Sequence, residues 1–262
     1  MKIDEIVDSL APWLAKHRRP AWKPVVVEGD GSPTASKFCG TPWIGPDSPW
    51  PDCSVCNHPL SLFLQIDLSD LPGELGGRFG TGLLQLFYCT RDDCQGYGGS
   101  EPFADDLSRV RVVHPSGPSV AVPRSPRHKH LPAKQIVGWT RFDDLPTPCE
   151  HDELGLVYTY NFENGTLRLE CQELNFDVTS RMSECPAEEI ANSEPGDKLA
   201  GWPAWVQGVE YPSCPKCGGR MTHVFQLDSQ NNVPFMFGDV GCGHITQCPE
   251  HKEVVAFGWA CS

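Results

Sequence analysis

The chain has no long apolar run and no excess of positive charge. None of its stretches approaches the ~18 to 20 apolar residues that a membrane-spanning helix needs. Lysine and arginine together number 21 against 34 aspartates and glutamates, so the formal net charge is -13. The lack of a long apolar run predicts no membrane span. An acidic surface repels the phosphate backbone, so we also expect no nucleic-acid partner. The same charge would attract basic proteins and steer their approach.

The motifs of several common enzyme classes are also missing. The glycine-rich stretch 238–244 matches neither a phosphate loop nor a dinucleotide fingerprint, and no serine elbow is present. The N-terminal charges are scattered and do not precede an apolar run, so we expect no signal peptide and a cytoplasmic protein. In a reducing compartment the 13 cysteines are expected to be metal ligands and buried thiols, not disulfides.

Glycine and proline are abundant, with 25 of each, and this predicts short strands and loops. Apolar residues at helical spacing predict one N-terminal helix over residues 2–16. Asn164-Gly165 predicts a hairpin, residues 115–132 a Pro/Ser-rich loop, and residues 187–191 a short helix. Strands are predicted over residues 22–27, 110–114, 135–142, 156–162 and 167–174.

An internal repeat appears when the chain is shifted by 161 residues. Cys53 then meets Cys214, and Cys56 meets Cys217. Further pairs keep the same offset: Lys37 and Lys198, Gly40 and Gly201, Pro42 and Pro203, Gln65 and Gln226, Asp67 and Asp228. We interpret residues 37–114 and 198–262 as two copies of one unit, with an N-terminal segment 1–36 and a connecting region 115–197, all in one duplicated domain.

Each copy carries a Cys-x-x-Cys pair, which lets two thiolates converge on one ion from a tight turn. In the first copy the pair is completed by two cysteines after a hairpin, which predicts a site made of Cys53, Cys56, Cys89 and Cys94. Four ligands close the coordination sphere, so the metal would be a structural zinc ion.

In the second copy the repeat aligns Cys248 with Cys89 and places His251 in the role of Cys94. This predicts a second structural zinc site made of Cys214, Cys217, Cys248 and His251. Cys242 and His244 are competing ligands. In a regular strand, however, Cys242 would lie about 20 Å from Cys248 at ~3.3 Å per residue, too far to share one ion.

The predicted fold class is α+β with mostly antiparallel sheet. The two copies would form zinc-ribbon-like halves around a pseudo-twofold axis, preceded by one N-terminal helix. A redox role for either Cys-x-x-Cys pair would need a helix to start directly after it, whereas strand-like residues follow both pairs.

No catalytic constellation is predicted. Cys149 and His151 are close in sequence, but the surrounding prolines suggest a surface turn. Asp67 and Asp228 could do acid/base work, yet residues present in both copies are more simply explained as capping the turn after a strand. We therefore predict no catalytic residue and no organic cofactor.

Two stretches in each copy resemble the bacterial YwqG-like family, a domain of unknown function, over most of the chain. The residues that carry this resemblance are Lys37, Gly40, Pro42, Gln65 and Asp67 in the first copy and Gly201, Pro203, Gln226, Asp228 and Cys248-Pro249-Glu250-His251 in the second. The knuckles around Cys53 and Cys214 are also similar to the eukaryotic programmed-cell-death-protein-two family, although His251 departs from its all-cysteine pattern. Members of that family are dedicated chaperones for a ribosomal protein, which implies a binding role here as well.

Three functions are weighed from these observations. The preferred one is a zinc-stabilised protein-binding module for a basic partner, either a chaperone or an immunity protein, with a strand-binding groove between the two halves. The alternative is an enzyme with its site at the interface of the two repeats, which a pocket around Asp67, Asp228 or His244 would favour. A nucleic-acid-binding zinc ribbon would need a basic face that the composition makes hard to assemble. The oligomeric state stays open.

Overall fold

The computed structural model describes residues 2–96, 102–103, 107–120 and 131–262. Residues 121–130, which make up most of the predicted Pro/Ser-rich loop, lie outside the described residues. In the described part of the chain, every helix is too short or too polar to cross a membrane.

Two short helices open the chain where one was predicted, α1 over Ile3–Ser9 and α2 over Ala11–His17. The break falls at Leu10, directly before a helix whose first turn contains Pro12. Proline has no backbone N–H and tolerates only the first turn of a helix, so it starts a new helix here instead of continuing the first.

Ten strands of the described residues form one large antiparallel sheet. Their bounds are β1 Arg19–Glu28, β2 Lys37–Phe38, β3 Ser61–Asp67, β4 Leu83–Tyr88, β5 Ser108–Val113, β6 Lys134–Asp144, β10 Lys198–Ala200, β11 Thr222–Asp228, β12 Cys242–Gln247 and β13 Val255–Ala260. Their spatial order is β13-β12-β11-β10-β1-β6-β2-β3-β4-β5. The two outermost strands, β5 and β13, contact each other, so the sheet curls nearly into a barrel.

A smaller three-stranded sheet has the order β7-β8-β9 and packs against the N-terminal helices. Its strands are β7 Leu156–Asn161, β8 Thr166–Cys171 and β9 Phe176–Arg181, and the predicted hairpin forms its first turn. Two further short helices are α3 over Pro148–His151 and α4 over Ala187–Ile190.

The predicted α+β class, with two zinc-ribbon-like halves around a pseudo-twofold axis, is wrong. The protein is mostly β, and strands from both predicted repeat units belong to one sheet with β1 and β6 at its centre. A single core joins them, in which Phe38 of the first unit contacts Phe225 of the second at a ring-centroid distance of 6.0 Å. Neither unit can cover its own apolar strands, so each buries them against the other.

Residues paired by the 161-residue shift nevertheless have matching local contacts. The side-chain oxygen of Gln65 accepts from the backbone N–H of Trp43, and that of Gln226 accepts from Ala204. The side-chain amide of each glutamine donates to a backbone carbonyl of the preceding loop, including that of Ala35 for Gln65 and that of Gly196 for Gln226. These glutamines fix the loops that precede each cysteine knuckle.

Candidate functional site: two metal centres and an arginine cleft

The first cysteine knuckle is a tight turn before β3. The amide of Asn57 donates to the carbonyl of Cys53 (2.9 Å), and the amide of Cys53 donates to the carbonyl of His58 (2.8 Å). Asn57 takes a left-handed backbone conformation with φ 54°, a region that asparagine enters more easily than most residues. The turn places the thiols of Cys53 and Cys56 on one side.

The other two thiols of the first cluster reach the knuckle from beyond β4. Cys89 follows the last residue of that strand, and its Sγ lies 3.8 Å from the Sγ of Cys56. The Sγ of Cys94 lies 3.8 Å from that of Cys53. Buried apolar side chains, Leu60 among them, pack around the cluster.

The second cluster has the same construction. The amide of Gly218, at φ 71°, donates to the carbonyl of Cys214 (2.8 Å). The Sγ of Cys217 lies 3.7 Å from that of Cys248, and Nδ1 of His251 lies 3.8 Å and 3.7 Å from the thiols of Cys214 and Cys248. The amide of His251 also donates to the Cys248 sulfur (3.3 Å).

These distances fit a tetrahedral metal. In each cluster the four donor atoms all lie within 4.8 Å of one another. Sulfurs at about 2.3 Å from a central zinc, at tetrahedral angles, stand about 3.8 Å apart, as the paired thiols do here. A disulfide would bring the sulfurs to about 2.05 Å, and all 13 cysteines are free. Both clusters could therefore hold a metal ion.

The structure brings together all eight predicted ligands and leaves out the competitors. Cys242 begins β12, where it is buried and its thiol faces the carbonyl of Leu227 at 3.3 Å. His244 lies farther along β12 against the ring of Trp205, with a centroid distance of 4.5 Å. Strands β3 and β11 follow the two knuckles, so neither pair has the helix start that a redox thiol would need.

One thiol in each cluster has a lowered pKa, which favours its thiolate form. Burial opposes ionisation of Cys56, but the backbone amide of His58 and the neighbouring thiols outweigh it and lower its pKa to about 7. Burial likewise acts against Cys248, whereas the backbone amides of His251 and Glu250 help to lower its pKa to about 6. Metal ligation by cysteine requires the thiolate, so both shifts favour it.

The other predicted polar residues have structural contacts. A carboxylate oxygen of Asp67 accepts from the amide of Ser69 (2.9 Å), and one of Asp228 accepts from Ser229 (2.9 Å), so both cap the turn after their strand. Cys149 is exposed, whereas His151 is buried. The Nε2 of His151 donates to the carbonyl of Pro146 (3.1 Å), and its Nδ1 accepts from the hydroxyl of Tyr158 (2.7 Å). The imidazole is therefore occupied and cannot serve the Cys149 thiol as a base.

A cleft of about 500 Å³ lies between the repeat units and the connecting region, and none of the residues that line it was predicted as a site residue. We call it the arginine cleft. The first unit contributes Arg78, the N-terminal segment Arg19, and the second unit Arg220. Other residues that line the cleft include Glu150, Glu153, Trp202, Tyr211 and His223. No spacing in the sequence links these positions, because the fold alone brings them together.

The three guanidinium groups of the arginine cleft lie against aromatic rings. That of Arg19 is 3.1 Å from the ring centroid of Trp202, and that of Arg220 is 4.3 Å from the centroid of Tyr211. The Arg78 group is 5.2 Å from the centroid of the neighbouring Phe79 ring. Desolvation in the concave cleft lowers the pKa of both Arg19 and Arg78, which nevertheless stay charged at neutral pH.

Two titratable groups lie deep in the same cleft. One oxygen of Glu150 accepts from the indole N–H of Trp205 (2.8 Å), while the other has no hydrogen bond. Burial raises the pKa of Glu150, although Trp205, Tyr211 and Arg19 oppose the shift. His223 is 3% exposed, and neither ring nitrogen has a partner. Burial, with His244 nearby, moves the pKa of His223 well below its ordinary value.

Two other buried histidines predict a loss of stability in acid. Burial lowers the pKa of His151 to about 4 and that of His244 to about 3. Below pH 6.5, which is about the pKa of histidine in the unfolded chain, the unfolded chain binds protons that the folded chain excludes. The free energy of unfolding therefore falls as the pH is lowered. At pH 5 the expected loss is about 2 kcal/mol for each histidine. Urea unfolding at pH 7.5 and pH 5.0 measures the difference, which should be about 2 kcal/mol smaller in His244→Gln.

The matched control for that measurement is His114→Gln, at an exposed histidine, which should leave the difference between the two pH values unchanged. Any acid loss of metal is common to all the proteins compared, because each keeps both clusters. An unchanged pH dependence in His244→Gln would contradict the assignment of the acid sensitivity to this buried ring.

Comparison with known proteins places the chain in a family without assigning an activity. A family described as a domain of unknown function, DUF1963, matches residues 36–251, which include both metal clusters and all of the cleft except Arg19. The chain therefore belongs to this family. No curated protein matches it.

Proposed function

We propose that this DUF1963 member is a zinc-stabilised protein-binding module for a basic partner. The metal would be zinc because three or four thiolates with at most one imidazole, at tetrahedral spacing, are the usual ligands of structural zinc. Four protein donors leave no open position for a substrate. Each ion would clamp a loop to the end of a strand and would take no part in chemistry. The resemblance of the knuckles to the programmed-cell-death-protein-two family, whose members are chaperones, is the basis for proposing a binding role.

The observation that carries the binding proposal is the acidic surface of the small sheet. Residues 150–194 contain eleven acidic residues and two arginines. Both arginines are already paired, Arg168 with Asp177 (2.6 Å) and Arg181 with Glu184 (3.9 Å). Three of the carboxylates, Glu153, Glu173 and Glu194, are paired with basic residues outside this region, and Glu150 is buried. The exposed acids without an ion-pair partner among the described residues are Asp152, Glu163, Glu188 and Glu189. This negative excess would raise the encounter rate with a basic protein.

Strand β7 is the edge at which we place the partner. It has β8 on one side, and the described residues supply no strand on the other. A row of stacked rings runs along it, with centroid distances of 6.5 Å between Tyr158 and Tyr160 and 6.0 Å between Tyr160 and Phe162. Phe162 is 81% exposed. Partial burial and the nearby carboxylate of Glu188 raise the pKa of the Tyr160 hydroxyl, which indicates that an acidic group lies beside the rings. An extended segment could add to such an edge as a strand, with apolar residues on the rings and basic residues beside the carboxylates.

A defined peptide tests the β7 site. The probe is a fluorescent peptide of alternating lysine and valine, with a glutamate–valine peptide as its charge-reversed counterpart. We expect the zinc-loaded protein to bind only the basic peptide, with an affinity that falls as salt rises. Phe162→Ser should weaken binding about tenfold or more, since exposed aromatic anchors dominate interfaces of this kind. Fluorescence anisotropy measures both effects.

The matched control is Val137→Ser, which removes an apolar side chain that is 53% exposed on the large sheet. It should leave peptide affinity unchanged. Equal affinity for the acidic and basic peptides, or equal losses in the two variants, would overturn the β7 site.

The arginine cleft supports the alternative function, an enzyme with its site at the interface of the two repeats, but through other residues than those expected, because Asp67, Asp228 and His244 do not line it. Glu150 has a raised pKa and His223 a lowered one, and such a pair could exchange a proton with a bound substrate. The two proposals concern different residues, so the result of the peptide experiment at β7 neither supports nor opposes an activity in the arginine cleft.

A further inference from the structure

The arginine cleft carries more positive charge than its own carboxylates neutralise. Arg220 pairs with Glu153 at 2.7 Å. Neither Arg19 nor Arg78 has a carboxylate within ion-pair distance among the described residues. Glu150 is the other acid of the cleft, and its burial favours the neutral form. An anionic group would therefore find two guanidinium groups without an ion-pair partner there, although that of Arg19 also lies beside the Tyr211 hydroxyl and Glu150. The overall charge of the protein is negative.

The two unpaired arginines are held in place by contacts other than ion pairs. The ring of Trp202, which carries the Arg19 guanidinium, is fixed by its indole N–H bond to the carbonyl of His17 (2.8 Å). The backbone carbonyl of Arg78 accepts from Nζ of Lys252 (2.6 Å), and the next carbonyl, that of Phe79, accepts from the side chain of Gln247 (3.1 Å). Stacking holds a guanidinium plane and leaves its N–H edge free for a bidentate oxyanion.

The floor of the cleft offers a second set of unused polar atoms. Both ring nitrogens of His223 and one oxygen of Glu150 are buried without a hydrogen bond. Buried polar atoms are almost always paired in folded proteins, so three unpaired atoms on the wall of one cleft indicate a missing partner. A hydroxyl group suits them, because it can accept from the imidazole N–H and can either donate to or accept from the Glu150 carboxyl group, whose neutral form burial favours.

We propose that the arginine cleft binds a small hydroxylated organic anion, with its phosphate or carboxylate group between Arg19 and Arg78 and a hydroxyl group at His223 and Glu150. The volume of about 500 Å³ is within the range of small-molecule sites and suits one compact metabolite. Arg220, which also lines the cleft, is already paired with Glu153. This site goes beyond the proposed protein-binding function and uses none of the β7 residues.

Matched probes separate the parts of the ligand. Glycerol 3-phosphate and glycerate carry hydroxyl groups with a phosphate or a carboxylate, inorganic phosphate has the anion alone, and glycerol has the hydroxyl groups alone. Isothermal titration calorimetry on the zinc-loaded protein should show saturable binding of at least one hydroxylated anion, more tightly than of inorganic phosphate, and none of glycerol. The stronger of the first two identifies the anionic group. Quenching of Trp202 fluorescence provides a second readout.

Variants test the assigned contacts. Arg78→Gln should weaken binding about tenfold or more, because a charge-assisted contact is lost at an exposed side chain that does not support the core. Arg18→Gln is the matched control: Arg18 faces Asp143 (3.6 Å), outside the cleft, and its loss should leave affinity unchanged. His223→Phe should remove the preference for hydroxylated anions over inorganic phosphate. Circular dichroism confirms that each variant is folded.

Three results would overturn the proposal. They are no binding of any anion at millimolar concentration, equal losses in Arg78→Gln and Arg18→Gln, and an unchanged hydroxyl preference in a folded His223→Phe protein. Failure of this site would leave the peptide result at β7 unaffected, and failure at β7 would leave this site unaffected.

Discussion

Purified protein is expected to contain two zinc ions per chain, and their removal by a chelator should lower the free energy of unfolding by about 5 kcal/mol or more. The apparent binding free energy of a structural zinc is about 10 to 16 kcal/mol, and part of it is folding free energy. The first ion would tie the knuckle before β3 to the end of β4, and the second would tie the knuckle before β11 to the end of β12. Native mass spectrometry counts the ions, and urea unfolding with and without chelator measures the loss.

Single cysteine variants make this prediction specific. Cys53→Ser and Cys214→Ser should each retain one zinc, because the two clusters share no ligand. The control is Cys149→Ser, at an exposed thiol outside both clusters, which should retain two ions and full stability. One ion or none in the unaltered chain, or metal loss in the Cys149 variant, would refute the paired sites.

Asp144→Ala is expected to destabilise the fold by about 3 to 5 kcal/mol, because it leaves a buried ammonium group without its counter-ion. Nζ of Lys198 lies 2.9 Å from the Asp144 carboxylate, and the two side chains are 0% and 1% exposed. Asp144 also accepts from the backbone amides of Glu194 (2.9 Å) and Trp202 (2.8 Å). Burial already lowers the pKa of Lys198, with Asp144 opposing the shift. Chemical denaturation measures the loss.

Two comparisons decide whether the unpaired charge is the cause. The double variant Asp144→Ala/Lys198→Met removes both charges and should recover part of the stability. Asp30→Ala breaks the corresponding pair with Lys37 (2.7 Å), but the Asp30 side chain is 39% exposed, so water can replace it and the loss should be smaller. Equal losses at Asp30 and Asp144, or no recovery in the double variant, would contradict the explanation.

The two Cys/His clusters were predictable from the sequence because the spacing that brings their residues together is local. A knuckle brings Cys53 and Cys56 together within four residues, and the same spacing recurs at Cys214. The repeat then aligned Cys248 with Cys89, which identified His251 without knowledge of the fold. All eight predicted ligands lie in the two clusters.

The fold class was not predictable in the same way. Short strands bounded by glycine and proline can be recognised one at a time, but alternation along a strand does not say which strand will be its neighbour. The pairing of β1 with β6 and β10 joins segments far apart in the chain, such as Ala21 with Phe142 and with Ala200. This central position of β1 turns two expected halves into one sheet.

The residues of the arginine cleft could not be grouped by any pattern in the sequence. Arg19, Arg78 and Arg220 belong to unrelated segments and have no common spacing. Glu150 lies between Cys149 and His151, where the surrounding prolines suggest a surface turn, whereas it is buried in α3. The repeat could not reveal the cleft, because most of its lining comes from the second unit and the connecting region.

The central place of β1 also has a consequence for how the chain folds during synthesis. β1 leaves the ribosome well before its partners β6 and β10 are made. Closing such long loops is slow, and the centre of the sheet cannot form until most of the chain is available. The four residues of the first cluster all lie in the chain up to Cys94. A metal ion bound there could therefore order one region of the nascent chain before β1 pairs with β6 and β10.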